Sequence, residues 1–219
     1  MIDFHTHTVF SDGELIPAEL ARRARIAGYR ALAMTDHADS SNIEIILENI
    51  HRFAKKHGHF FDIDVFSGVE LTHVPPGLIG EMVDQARDLG AQLVVVHGET
   101  IVEPVAEGTN LSAIEAKVDI LAHPGLITEV EVKLAAEYGV HLEITTRKGH
   151  SLTNGHVAAL ARKFGAKLVI NNDAHAPGDL VSRELRRKIA LGAGMTPQEY
   201  EQSEENSRQL VQQMMKRGS

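Results

Sequence analysis

A chain of 219 residues, 43% hydrophobic and 24% charged, has the makeup of a globular domain with a sizeable core and is short for two. Its net charge of −8 disfavours a duplex nucleic acid as partner, and the absence of cysteine removes disulfides and thiolate metal ligands. No apolar run is long enough for a membrane span and no leader precedes the first strand, so no membrane is expected and the cytoplasm is the expected location.

The elements follow a repeating phrase of helix, glycine, short apolar run and polar residues. A strand at 2–5 leads to a helix at 17–27, Gly28 and a strand at 31–34. A helix at 43–56 precedes a strand at 65–71, and a helix at 78–89 with Gly90 precedes one at 93–96. A strand at 120–122 is followed by a helix at 129–138, Gly139 and a strand at 140–144. A helix at 153–164, Gly165 and a strand at 168–170 complete the series. Glycine caps a helix in the left-handed conformation, and four to six apolar residues behind it suit a buried parallel strand. Seven strands alternating with helices predict a parallel α/β fold, either closed as a barrel or open and doubly wound. Neither a Gly-x-Gly-x-x-Gly nor a P-loop is present to mark a nucleotide site. Thr196, Pro197 and Glu199 open a structural helix over 196–216, and residues 1–219 read as one domain.

Thirteen histidines are the unusual feature, and position separates them. In parallel α/β folds the catalytic groups gather at the carboxyl ends of the strands. Those ends carry His5 and His7, Asp36 and His37, Glu70, His97, His123, and Asp173 and His175, so six of seven strands deliver a nitrogen or oxygen ligand. Residues two apart share a face, which aims His5 with His7 and Asp173 with His175. Asp36 and His37 point apart, so one ligates and the other braces. Asp12, in the turn after the first strand, adds a carboxylate. A lone His97 or His123 would more often be a core histidine and a lone Asp12 a turn residue. Together without a cation they would leave repelling charges and unpaired polar atoms. By placement His51, His57, His59, His73, His141, His150 and His156 read as background. The strand at 140–144 alone ends without a ligand; Arg147 and Lys148 follow it, suited to an anionic phosphate or equally to a surface pair. Asn171 and Asn172 read as braces.

The segments HTHTVFSDG (5–13), MTDHA (34–38), GVEL (68–71), VVHGE (95–99), AHPG (122–125) and NDAH (172–175) resemble, in order, the motifs of the PHP (polymerase and histidinol phosphatase) family. The resemblance implies a distorted (β/α)7 TIM-like barrel and three divalent metal ions, zinc, manganese or iron. It implies His5, His7, Glu70 and Asp173 on one metal; Glu70, His97 and His123 on a second; and Asp12, His37 and His175 on the third. It further implies a metal-dependent phosphoesterase, a histidinol-phosphatase-like monoester hydrolase in which activated hydroxide attacks a small phosphorylated metabolite. On this reading Glu70 and Arg147 are catalytic, and Arg147, Lys148 and His150 touch the substrate. Glu99 and His150 are candidates to protonate the leaving group. The alternatives are a phosphodiesterase or nuclease of the same family, an amidohydrolase-type barrel, and a non-catalytic metal-binding module. The −8 charge weighs against long polyanions, and the oligomeric state is not legible.

Overall fold

The structure, a computed structural model, describes residues 1–217; residues 218 and 219 of the expected domain lie outside them. Its strands are β1 (Ile2–Asp3), β2 (Ala31–Met34), β3 (His37–Ala38), β4 (Asp64–Leu71), β5 (Leu93–His97), β6 (Ile120–Ala122), β7 (His141–Thr145) and β8 (Leu168–Asn171). All pair in parallel, in the order β1-β2-β4-β5-β6-β7-β8, with β3 also on β4. Met34 lies opposite Ser67 and His37 opposite Glu70, so β2 and β3 are one strand position, interrupted at Thr35 and Asp36 without loss of register. The sheet then closes on itself. Thr6 bridges Ala174 in parallel, the His7 N–H donating to the Ala174 carbonyl (2.8 Å) and the Ala174 N–H to that of His5 (3.2 Å). Of the two topologies open to the sequence, the chain adopts the distorted (β/α)7 TIM-like barrel.

The helices are α1 (Pro17–Ile26), α2 (Ile43–His57), α3 (Pro76–Asp88), α4 (Thr109–Glu115), α5 (Glu129–Tyr138), α6 (Asn154–Phe164), α7 (Arg183–Gly192) and α8 (Pro197–Arg217). Six match the expected positions within a few residues; α4 and α7 were not expected. Helix α4 is too short to show a period. In α7 the charges of Arg183, Glu184, Arg187 and Lys188 mask an apolar stripe, although its N-cap, Ser182 accepting from the Leu185 N–H at 3.2 Å, is a legible signal.

Strand residues alternate between two cores, as a period of two requires. Val94, Val96, Leu121, Leu142 and Ile144 face the helices in the larger cluster, whereas Leu93, Val95, Ile120, Ala122 and Val169 face the barrel interior. Leu210, Val211 and Met214 of α8 join that interior cluster. Asn206 donates to the Leu168 carbonyl (2.8 Å) and Arg217 to Asp119 (2.8 Å), both at the amino ends of strands. Helix α8 therefore seals the lower mouth. With the lower half of the interior filled by apolar side chains, the same inward face carried upward delivers polar groups at the upper mouth.

His141 begins β7 at the lower end, buried, its Nδ1 3.2 Å from the Asp119 carbonyl. Burial holds its pKa at about 4, below the usual 6.5. An unfolded chain would bind this proton first as pH falls, so the stability is complete above about pH 6.5 and drains away towards pH 4. The expected result is that lowering pH from about 7.5 to about 5 costs the chelated wild type on the order of 2 kcal/mol more than chelated His141→Gln, measured by urea unfolding. Equal losses in the two proteins would remove His141 as the cause.

Candidate metal centre

The bridge at Thr6 and Ala174 builds the centre. His5 and His7 flank one bridging residue, Asp173 and His175 the other, so both pairs face the same mouth across the closing seam. His7 Nε2 lies 3.3 Å from Asp173 Oδ1, His5 Nε2 3.6 Å from the same oxygen, and the His7 and His175 rings stack at 3.9 Å. Glu70, on the inward face of β4, sits beneath four imidazoles: His37 Nδ1 at 2.8 Å, His5 Nε2 at 3.1 Å, and His7 and His123 Nε2 at 3.7 Å. Asp12 reaches His175 Nε2 at 3.2 Å and His37 Nε2 at 3.5 Å.

Two ligand candidates sit on unusual backbone. His123 (φ 25°) and Asp173 (φ 53°) occupy the positive-φ region that non-glycine residues rarely adopt, and such strain clusters at working sites. The loops above β5 and β6 are pressed together around His123. A Cβ on Gly98 would stand 2.3 Å from the Ala122 carbonyl oxygen, and one on Gly125 1.8 Å from that of Glu99, so both positions demand glycine.

Behind the front row stands a set of braces. Glu143, fully buried on β7, lies 2.9 Å from His5 Nδ1, accepts from Asn171 at 2.8 Å and from the His123 N–H at 3.1 Å. It fixes the His5 ring so that Nε2 faces the mouth. Glu143 lies within β7, two residues from its end on the inward face, so a survey of strand ends misses it although the period of two marks it. Asp36 accepts from the Thr8 N–H (2.7 Å), the Thr8 hydroxyl and the Ser11 hydroxyl (2.9 Å), so it braces the loop carrying Asp12, not an imidazole. Asn172 donates to Asp3 (2.6 Å) and to the Tyr29 hydroxyl (2.6 Å), and Asn171 accepts from the Phe4 N–H (3.0 Å). Glu99 accepts from the Asn110 N–H (2.9 Å) and anchors the entry to α4.

Electrostatics follow from this packing. Burial pushes His5 down, but Glu70, Glu143 and Asp173 around it prevail and hold it well above its usual value. Burial likewise opposes, and Glu70 and Asp12 overcome it in, a rise of His37 to about 10. Burial takes His7 down to about 4 and His123 well below its usual range. Burial favours the neutral acid in Glu70 and Asp173, yet the neighbouring imidazoles keep both carboxylates ionised. The pocket thus holds ionised carboxylates between two imidazoles that favour the proton, His5 and His37, and two that resist it, His7 and His123.

Within this centre five buried atoms make no hydrogen bond: His5 Nε2, His7 Nδ1 and Nε2, Glu70 Oε1 and His123 Nδ1. Buried polar atoms are normally satisfied, and four of these belong to the donor set converging on the mouth. Four groups have ligand atoms within 4.8 Å of one another: His7, Asp12, His37 and His175; His97, His123 and His150; His5, His123 and Asp173; and His5, His7 and Glu70. Imidazole nitrogen with carboxylate oxygen suits a divalent transition ion. All nine residues expected as ligands lie in these groups, but the partition differs from the implied one. His7 stands with Asp12, His37 and His175, and His150 instead of Glu70 completes the group with His97 and His123.

Lys148 stands apart from that cluster, and Arg147 touches it through Asp173. The Arg147 guanidinium lies 3.5 Å from the Asp173 carboxylate and donates to its carbonyl (3.1 Å), with Asp179 at 3.5 Å. Together with Lys148, which is exposed, it lines a cleft of about 540 Å³ that continues over Asn172, Val181 and Leu185. His150 parts from them: it is buried among the imidazoles. Among the described residues no helix is long and apolar enough to cross a membrane.

The model of the PHP domain matches residues 3–100. A probable phosphatase of Shewanella oneidensis is 30% identical over 198 residues, covering 80% of this chain and 76% of that protein. The chain belongs to the PHP family. An uncharacterized protein of Methanocaldococcus jannaschii is 55% identical over 202 residues, 91% of this chain and 92% of the relative. Among solved structures, a chain in the cryo-EM structure of archaeal ribonuclease P with mature tRNA superposes with a TM-score of 0.73 at 18% identity, covering 98% of this PHP chain and 91% of that one. At that identity the likeness shows the shared barrel.

Proposed function

We propose that this PHP chain is a metal-dependent phosphoric monoester hydrolase acting on a small phosphorylated metabolite. The observation that carries the reading is the convergence of buried, unpartnered imidazole nitrogens on the Glu70 carboxylate. His5, His7, Asp12, His37, Glu70, His97, His123, Asp173 and His175 are the residues that would hold up to three zinc, manganese or iron ions. When bound, such ions supply Lewis acidity that lowers the pKa of water and offsets charge on a phosphoryl group. The remaining work falls to the chain. Glu143 keeps His5 in one orientation, and Asp36 holds the loop of Asp12 in place. Arg147, beside Asp173 at the head of the cleft, is placed to grip a phosphate oxygen, and the exposed Lys148 meets the substrate's outer end. The likeness to a phosphatase-named relative over most of both chains supports the same reading.

The test is release of phosphate from a generic aryl phosphate by the purified, metal-loaded protein, repeated after exhaustive EDTA treatment. Activity in the first and loss of it in the second are expected; full activity after thorough stripping would overturn metal dependence. A second reading, phosphodiester cleavage, draws on the fold shared with a ribonuclease P chain. Cleavage of single-stranded RNA by a loaded protein inert toward monoesters would favour it.

A further inference from the structure

Two side chains outside the nine expected ligands, Glu103 and His150, stand beside His97 and His123. Glu103, on the loop between β5 and α4, places Oε2 3.1 Å from His97 Nε2 and Oε1 3.3 Å from His150 Nε2, with His73 Nε2 at 3.7 Å. His150 is only 6% exposed and stacks on the His123 ring at 4.2 Å. Its Nδ1 lies 2.8 Å from the Thr100 hydroxyl, which leaves Nε2 as the nitrogen turned towards the site.

This arrangement is built by two loops that dock on each other. Gly149 (φ 87°) turns the chain after β7 so that His150 swings under the loop after β5, and a Cβ at Gly149 would meet the Val102 side chain at 3.5 Å. Thr100 sits on one side of Val102 and Glu103 on the other, so the contacts to His150 and to Gly149 come from one short stretch. A hydroxyl that engages the outer nitrogen of an imidazole, leaving the inner one free, is the arrangement by which proteins orient metal-binding histidines.

We propose that His150 is an additional ligand of the metal position formed by His97 and His123, and that the Glu103 carboxylate completes it from the loop side. The donor set is three imidazole nitrogens and one carboxylate oxygen, which takes a divalent transition ion such as zinc, cobalt or iron. The inference rests on the metal-dependent reading above. It separates His150 from Arg147 and Lys148, which face the cleft, and gives it to the metal instead of to the substrate.

The deciding experiment titrates the stripped full chain with Co²⁺ alone, following visible d–d absorption and calorimetric heat. His150→Gln and Glu103→Gln are each expected to weaken one class of site at least about 10-fold, with Lys148→Ala titrating as the wild type does. Glu103 is 38% exposed on its side chain, so Glu103→Gln folds normally and carries the test even if His150→Gln does not. Cobalt uptake by the wild type that neither Gln substitution alters would overturn this proposal alone. A wild type that takes up no cobalt would overturn it together with the metal-dependent reading.

Discussion

Glu70→Gln lowers kcat/KM for phosphate release by more than about 100-fold, and the purified variant carries less metal than the wild type. Loss of an outer brace around a metal ligand costs roughly 10- to 100-fold, which sets the floor for a residue in direct reach of the site. Glu70 is buried and lies within 3.7 Å of His5, His7, His37 and His123, so its charge bears on four imidazoles of the centre at once. Glutamine keeps the volume and one oxygen but removes the charge that holds these rings together. Circular dichroism should therefore be unchanged while metal content, read by mass spectrometry, falls. Within threefold of wild-type turnover at full metal content, Glu70 would have no part in the chemistry. The double variant His97→Ala with Glu70→Ala is expected to be inactive, and the two should be far from additive because both act through one cluster.

Arg186→Met destabilises the fold by about 3–5 kcal/mol, the range for breaking a buried ion pair by removing one partner. Arg186 on α7 is wholly buried, and its Nε lies 3.2 Å from Glu204 Oε1 on α8. Its charge also acts on Asp3, whose carboxyl burial pushes up to about 6 against the pull of Arg186 and of the Asn172 and His5 N–H groups. Removing the guanidinium leaves Glu204 and Asp3 without their buried cation. For a chain of this size the loss reads as roughly 10 °C in Tm. Adding Glu204→Met should restore part of it, since a buried pair replaced by apolar groups is often neutral. A Tm within about 2 °C of wild type in the single variant would show that the charges are not coupled. Because Asp3 accepts from both His5 and Asn172 backbone N–H groups, this pair also supports the strand that carries the metal centre.

The front row of the centre was legible because strand ends and a period of two are written in the chain. His5, His7, Glu70, His97, His123, Asp173 and His175 each follow a short apolar run, and the six motifs carried the family and the barrel with them. The braces were harder to see. Glu143 is interior to its strand, and its role appears only once Asn171 and His5 are brought beside it from the other side of the seam. Glu103 and His150 come from loops whose docking depends on Val102 meeting Gly149, a contact with no local sequence signature. Arg186 sits among the charges of Arg183, Glu184, Arg187 and Lys188, and burial alone distinguishes it.

By itself, then, the sequence determined the seven strand positions, six of the helices between and after them, the donors at the strand ends and the family, since each is a local pattern of period, cap or motif. Only the tertiary structure decided that the sheet closes at Thr6 and Ala174, that α8 seals the lower mouth, and that His150 joins the imidazoles while Arg147 lines the cleft. The physical reason is that these depend on contacts between residues far apart in the chain, whose pairing is set by closure of the barrel and by what burial leaves unpartnered.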